Sequence, residues 1–141
     1  MLNELLNMKG KLKIELNGEV VQEVDNLVVT VGKNFVASRI TGTSPAVMSH
    51  MGIGTTNTAA AAGDTALAAE AARVALASGT TSAAIVTYTA TFPAGTGTGA
   101  IVEAGLFNAA SAGTMLARTV FAVINKGAAD SMTITWTVTV S

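Results

Sequence analysis

The chain has 141 residues, of which 50% are hydrophobic and 12% charged, with a formal net charge of −1 and no cysteine. This length suits one domain with a single core. Without cysteine there are no disulfides or thiolate metal sites, and without clustered basic residues the sequence offers no surface for nucleic acid or an anionic membrane.

The first eight residues, 1–8, contain three leucines ahead of the first predicted strand: Leu2, Leu5 and Leu6. The segment is too short for an independent helix, and it lacks the basic and apolar regions of a secretory signal. Two interpretations remain open. The leucines form either a short cap on the chain's own core or an arm that contacts a neighbouring subunit.

Residues 9–26 predict a β-hairpin. Leu12, Ile14 and Leu16 alternate with charged residues, which is the period-2 pattern of a half-buried strand. The next two residues are Asn-Gly at positions 17–18, the pair favoured in a type I′ hairpin turn.

Residues 27–141 are predicted to form the body of the same domain. Near-helical spacing of apolar residues predicts a helix over 30–41, with Thr30 as its N-cap. The alanine-rich segment 63–78 predicts a short helical turn after Asp64 and then a strand. The residues that set the spacing of the 30–41 helix are Val31, Phe35, Val36, Arg39 and Ile40.

The second half of the chain predicts four strands, at 85–92, 100–108, 114–124 and 132–140. The last alternates most strongly, and places Trp136 with other apolar residues on one face and threonines on the other. No helices are available here for parallel crossovers. We therefore expect a mainly β protein, a single-domain antiparallel β-sandwich, jelly-roll-like, with an N-terminal hairpin and one or two short helices.

The glycine cluster at 92–99, with sequence FPAGTGTG, invites comparison with a phosphate-binding loop. A dinucleotide fingerprint needs G-x-G-x-x-G and an acidic residue about 20 residues later. The cluster has neither feature, so we interpret it as a flexible hairpin loop between two strands.

Catalytic and metal-binding residues are sparse. His50 is the only histidine, and a triad with Ser49 or Ser44 and Asp64 is disfavoured because adjacent residues on a strand point to opposite faces. The aspartates lack the spacing of a calcium loop. We expect no catalytic, cofactor-binding or metal site, and hence no enzyme activity.

Two further residue sets have structural interpretations. Glu70 and Glu103 could act as paired carboxylates in glycoside hydrolysis, but solvation at the surface or pairing with Arg73 and Arg118 explains them better. Trp136 and Tyr88 could stack on a sugar, although a chain with 4% aromatic residues makes a small platform. We expect both aromatic side chains in the core.

From residue 50 to 141 the sequence resembles small structural proteins of tailed bacteriophages. The motifs that carry this resemblance are EAGLFNA at 103–109, MLARTVF at 115–121 and TITWTVTVS at 133–141. They are packing and turn patterns without a catalytic group. Similar sequences occur among capsid cement or decoration proteins and among tail or fibre components.

The resemblance implies a virion protein, and the plain single domain without a repeated shaft favours the capsid. The expected function is a cement or decoration protein on the outer capsid surface that bridges subunits of the major capsid protein. The resemblance further implies a homo-oligomer, in particular a trimer, with no nucleic-acid or membrane partner. The alternatives are a tail, collar or fibre component and a carbohydrate-binding adhesion module.

Overall fold

In the computed structural model, which describes residues 5–42 and 46–141, the chain begins with the predicted hairpin. Strand β1 (Met8–Leu16) pairs with β2 (Glu19–Asp25) in antiparallel register. Between them Asn17 and Gly18 have φ angles of 51° and 84°. Both angles are positive, as a type I′ turn requires, so the hairpin and its turn are confirmed.

The remaining elements are one helix and eight strands in the described residues. Five of these strands lie close to their predicted positions, since alternation along a strand is a strong local signal. The elements are β3 (Leu27–Val28), α1 (Thr30–Ile40), β4 (His50–Gly54), β5 (Glu70–Ala75), β6 (Ser78–Ser82), β7 (Ile85–Phe92), β8 (Gly99–Phe107), β9 (Met115–Lys126) and β10 (Met132–Val140).

The strands form two five-stranded antiparallel sheets. The first sheet has the order β2-β1-β10-β7-β6, and the second has the order β3-β9-β8-β4-β5. Both sheets contribute to one hydrophobic core. The predicted antiparallel β-sandwich with a short helix is therefore confirmed.

Trp136 lies at the centre of the core on the inner face of the first sheet. Its strand neighbours are Leu12 on β1 and Tyr88 on β7. The Trp136 side chain is fully buried, as predicted, and its indole Nε1 donates a hydrogen bond of 3.1 Å to Oδ1 of Asn26. The threonines of β10 lie on the opposite, outer face, where they are paired with Lys11, Lys13 and Glu15 of β1.

The outer face of the second sheet is covered instead of open. A second, smaller cluster packs there, formed by Val29, Leu67, Phe107 and Met115. Room for it comes from Gly52 and Gly105, which are paired on β4 and β8 and whose missing Cβ atoms would touch Leu67 and Phe107. Leu67 belongs to the connection from 55 to 69, so this connection packs at a defined position on the sheet.

The glycine cluster was predicted as a hairpin loop, and this is wrong. Strand β7 belongs to the first sheet and β8 to the second, so residues 93–98 cross from one sheet to the other. Gly95 and Gly97 adopt φ angles of 82° and 70°, which suit glycine far better than other residues. The local sequence predicted a turn at these glycines, but it did not indicate that the next strand belongs to the other sheet.

Two helical details also differ from expectation. The segment after Asp64 forms no helical turn, since β5 starts only at Glu70 and the intervening chain is irregular. Helix α1 does begin at Thr30, but its N-cap residue is Val29, without a side-chain capping bond. The N–H of Thr30, which has no acceptor within the helix, donates to the carbonyl of Ala62.

Helix α1 packs closely on β9 through Gly32. A Cβ at this position would overlap the backbone carbonyl of Leu116, which cannot move without shifting the strand. We expect Gly32→Ala to lower the free energy of unfolding, since overpacking costs about 1–3 kcal/mol. Alanine otherwise gains roughly 1 kcal/mol over glycine in a helix.

Chemical denaturation of Gly32→Ala beside Gly63→Ala checks this expectation. Gly63 has no atom within 4 Å of its missing Cβ, so the Gly63 variant should unfold like the wild type. A Gly32→Ala protein that is more stable than the wild type would contradict the close packing of α1 on β9.

Candidate functional site

Two of the three predicted interface leucines, Leu5 and Leu6, lie in the described residues, directly before β1. Leu5 and Leu6 are 79% and 74% exposed, so they do not cap the chain's own core, whereas Leu2 lies outside the described residues. Directly after them the chain is anchored, because Asn7 and Ser141 exchange backbone hydrogen bonds of 2.6 and 2.8 Å. The two exposed leucines therefore directly precede a residue whose backbone is held by the C-terminal residue Ser141.

A groove of about 400 Å³ lies beside these leucines, between the start of β1 and helix α1. Ile40, at the end of α1, borders the groove and is 81% exposed. Among the described residues the lining is mostly apolar, and Lys33 is the one charged residue in it: Leu6, Asn7, Met8, Val28, Lys33, Val36, Ala37 and Ile40. We call Leu5, Leu6 and Ile40 the apolar end.

A buried ionic cluster lies on the outer face of the second sheet. Glu103 on β8 is fully buried, and its Oε1 accepts hydrogen bonds from Arg118 Nη2 at 3.0 Å and Nε at 3.2 Å. Backbone N–H groups of Ala68 and Ala69 donate to its two oxygens at 2.9 and 2.8 Å. The carboxylate is thus fully engaged.

Arg118 on β9 joins the cluster to the long connection between β4 and β5. Its guanidinium donates to Asp64 Oδ2 at 3.0 Å and to the carbonyl of Thr58 at 2.8 Å. Because Glu103 holds the 68–69 backbone at the same time, the cluster fixes the chain from 55 to 69 against the sheet. The predicted pairing of Glu103 with Arg118 is confirmed, but at a buried site and not at the surface.

The predicted pairing of Glu70 with Arg73 is also confirmed. Arg73 Nη2 and Nε donate to the Glu70 carboxylate at 2.6 and 3.1 Å. The guanidinium stacks on the Phe107 ring at 3.6 Å from the centroid, and Nη1 donates to the carbonyls of Ala109 and Ala112. Arg73 thereby fixes the turn between β8 and β9, which is a structural role.

The Ser49 and His50 side chains were expected to point apart, and this is wrong. Ser49 Oγ lies 2.8 Å from His50 Nδ1, because Ser49 precedes β4 and is free of the strand's alternation. The acid considered for a triad is held elsewhere, since Asp64 binds Arg118 and the N–H of Ala61. Ser44 lies outside the described residues.

The structure also shows where the residues considered for metal binding and for sugar stacking lie. In residues 5–42 and 46–141 no group of three or more His, Cys, Asp or Glu residues could hold a metal ion. Trp136 is fully buried and Tyr88 is half-buried, and desolvation raises the pKa of the Tyr88 hydroxyl. Over the same ranges, no helix has the length and hydropathy needed to cross a membrane.

Comparisons with protein-family models, with curated proteins and with solved structures found no match for this chain. Its function must therefore be inferred from its own surfaces and internal contacts. The most distinctive exposed feature among those described is the apolar end, which two of the three predicted interface leucines help to form. Sequence reasoning missed Ile40, because an apolar residue at helical spacing is ordinarily buried.

Proposed function

We propose that this chain is a structural protein of a tailed-bacteriophage virion, a cement or decoration protein on the outer capsid surface that bridges subunits of the major capsid protein. The observation that carries the proposal is the apolar end on a surface with little charge. The resemblance of residues 50–141 to phage virion proteins supplies the class of particle.

Because some of the charged residues are buried, the surface carries even less charge than the composition suggests. Of the 8 basic and 9 acidic residues, Glu103, Arg118 and Lys126 are buried. Lys126 donates to the carbonyl of Pro93 at 2.9 Å. Solubility of a small domain ordinarily depends on a well-charged surface, so a surface of this kind suits a protein that is covered by neighbours.

The motifs that carry the resemblance have structural roles here. Glu103 of EAGLFNA and Arg118 of MLARTVF are the two halves of the buried ionic cluster. Trp136 of TITWTVTVS is the central core residue. These residues hold the sandwich together, which leaves the exposed ends and edges available for assembly.

The mechanism that we propose is burial of the apolar end across subunit joints. Removing a side chain of leucine size from water contributes about 1.5–3 kcal/mol, and the apolar end consists of three such exposed side chains: Leu5, Leu6 and Ile40. A contact of this kind is repeated in every subunit of a trimer, because identical chains close by cyclic symmetry. Binding to the assembled shell then stabilises it by mass action.

The copy number of the chain in purified particles tests this function. We expect about one copy for each major capsid subunit, which corresponds to one trimer at each local threefold position, because cement must be present at all joints. A few copies per particle would overturn the cement proposal and indicate a tail or collar component.

A binding assay tests the role of the apolar end in the same system. Wild-type protein added to particles that lack the chain should raise their resistance to heat, and Leu6→Asp should not. Val123→Asp is the control, because Val123 is also exposed (53%) but lies on β9 outside the groove. Equal binding by both variants would contradict a role for the apolar end.

A further inference from the structure

The four edge strands of the sandwich are unequally protected against pairing with another chain. Exposed edges are usually blocked by charge, by a bulge or by very short length. On one side of the sandwich β2 carries Glu19, Glu23 and Asp25 and has an irregular register with β1, and β3 has only two residues. The edges β2 and β3 are therefore protected by charge, by an irregular register and by short length.

Strand β6 (Ser78–Ser82) lies at the opposite edge of the first sheet and has no such protection. Its sequence is SGTTS, without charge or proline, and all five residues are exposed. It pairs in regular register with β7 on one side only. Within the described residues no strand takes up the backbone donors and acceptors of its other side.

The neighbouring edge does not block access to β6. Strand β5 is the edge of the second sheet and directly precedes β6 in the chain. Its exposed residues include Ala71 and Ala75, and its two charged residues, Glu70 and Arg73, are bonded to each other. An approaching strand therefore meets small side chains and no unpaired charge.

We propose that β6 is a self-pairing edge, which joins two copies of this chain through antiparallel β6–β6 pairing about a twofold axis at Thr80. Antiparallel strand addition to an open edge gives affinity through main-chain hydrogen bonds, and a twofold contact uses the same residues from both copies. This proposal does not depend on the virion assignment.

The sequence of β6 is nearly self-complementary about its centre. A twofold axis at Thr80 places Thr80 opposite Thr80 of the second copy, Ser78 opposite Ser82, and Gly79 opposite Thr81. Ser78, Thr80 and Ser82 share the outer face, since their partners on β7 are Thr89, Thr87 and Ile85. Hydroxyl pairs on one face of an antiparallel ladder are favourable.

The occupant that we propose is a second copy paired through the same strand, because β6 matches its own reversed sequence in charge and in side-chain size. Strand β2, by contrast, carries three carboxylates and an irregular register, which disfavour its pairing with any further strand. Pairing of β6 with itself brings together no like charges and no bulky side chains. It also continues the threonine-rich outer face of the first sheet into the second molecule without interruption.

Single cysteines test the pairing and its register, since the chain has none of its own. Directly opposite residues of an antiparallel pair have Cα atoms about 4.5–5.5 Å apart, within the range of about 4.4–6.8 Å that a disulfide bridges. We expect Thr80→Cys to form a covalent dimer of twice 14.1 kDa upon mild oxidation. The readout is a non-reducing gel.

Ser78→Cys is the register control. In the proposed pairing the two copies of residue 78 are four residues out of register, or about 13 Å apart at about 3.3 Å per residue. This variant should stay monomeric on the gel, while the double variant Ser78→Cys, Ser82→Cys should cross-link. Absence of the Thr80→Cys dimer, or equal cross-linking of Ser78→Cys, would overturn the proposal.

A charge on the edge provides the second measurement. Thr80→Lys should abolish the twofold association in sedimentation experiments, because it places two ammonium groups opposite each other. Val20→Lys adds the same charge to the opposite edge, on β2, and should associate like the wild type. Loss of association in both variants, or in neither, would contradict pairing through β6. Circular dichroism confirms that each variant is folded.

Discussion

Replacement of Trp136 by alanine is expected to lower the free energy of unfolding by about 3–5 kcal/mol, the usual cost of truncating a buried tryptophan. Trp136 is fully buried between Leu12 and Tyr88 in the first sheet. Its removal leaves a cavity that the surrounding sheets cannot close without shifting. A domain of this size is ordinarily stable by only about 5–15 kcal/mol, so the variant should unfold at much lower denaturant concentration.

A Trp136→Phe variant separates packing from hydrogen bonding. Phenylalanine keeps an aromatic ring in the core but removes the donor to Asn26 Oδ1. Nδ2 of Asn26 is already buried without a partner among the described residues. An unsatisfied buried polar group costs about 1–3 kcal/mol. We expect an intermediate loss of stability.

The measurement for both Trp136 variants is urea denaturation followed by circular dichroism. Val123→Ala, at an exposed position of β9, is the control and should change stability little. If Trp136→Ala unfolds at the same urea concentration as this control, the placement of Trp136 at the centre of the core is wrong.

Most strands could be predicted from the sequence because their pattern is local. Threonine and apolar residues alternate along 85–92 and 132–140, and β7 and β10 have those same bounds. Such alternation places one face in the core and the other in solvent. The Asn-Gly pair at 17–18 determines its turn by backbone conformation alone.

The assignment of strands to sheets could not be predicted, because it depends on contacts between distant residues. Nothing within residues 93–98 distinguishes a hairpin from a crossing between sheets. The connection from 55 to 69 has no periodic pattern either. It is ordered by Glu103 and Arg118, which lie about 35–60 residues further along the chain.

The candidate site was predicted in part. The sequence left open whether the leucines before β1 cap the core or contact a neighbouring subunit. Leu5 and Leu6 are exposed, and their contact with a neighbour stays a prediction. Ile40 was missed because its exposure depends on how α1 ends beside β1. The open edge at β6 was also missed, since its sequence SGTTS lacks the alternation of apolar and polar residues that predicts a strand.

Loss of the buried ionic cluster should be the other large effect on stability. Glu103→Gln keeps the shape of the side chain but removes the charge that faces Arg118 at 3.0 Å. Removing one partner of a buried ion pair costs about 3–5 kcal/mol, because the other charge remains buried. Asp64 offsets part of this cost, since its carboxylate also lies 3.0 Å from Arg118.

Glu70→Gln is the matched control, because Glu70 forms the partly exposed ion pair with Arg73. A partly exposed pair contributes about 0–1 kcal/mol, so urea denaturation should show a much smaller loss than for Glu103→Gln. Proteolysis gives a second readout. The connection at 55–69 should become susceptible to cleavage in Glu103→Gln and stay protected in Glu70→Gln, because only Glu103 binds the backbone of residues 68 and 69. If both variants lose the same stability and show the same cleavage, the cluster does not hold the connection against the sheet.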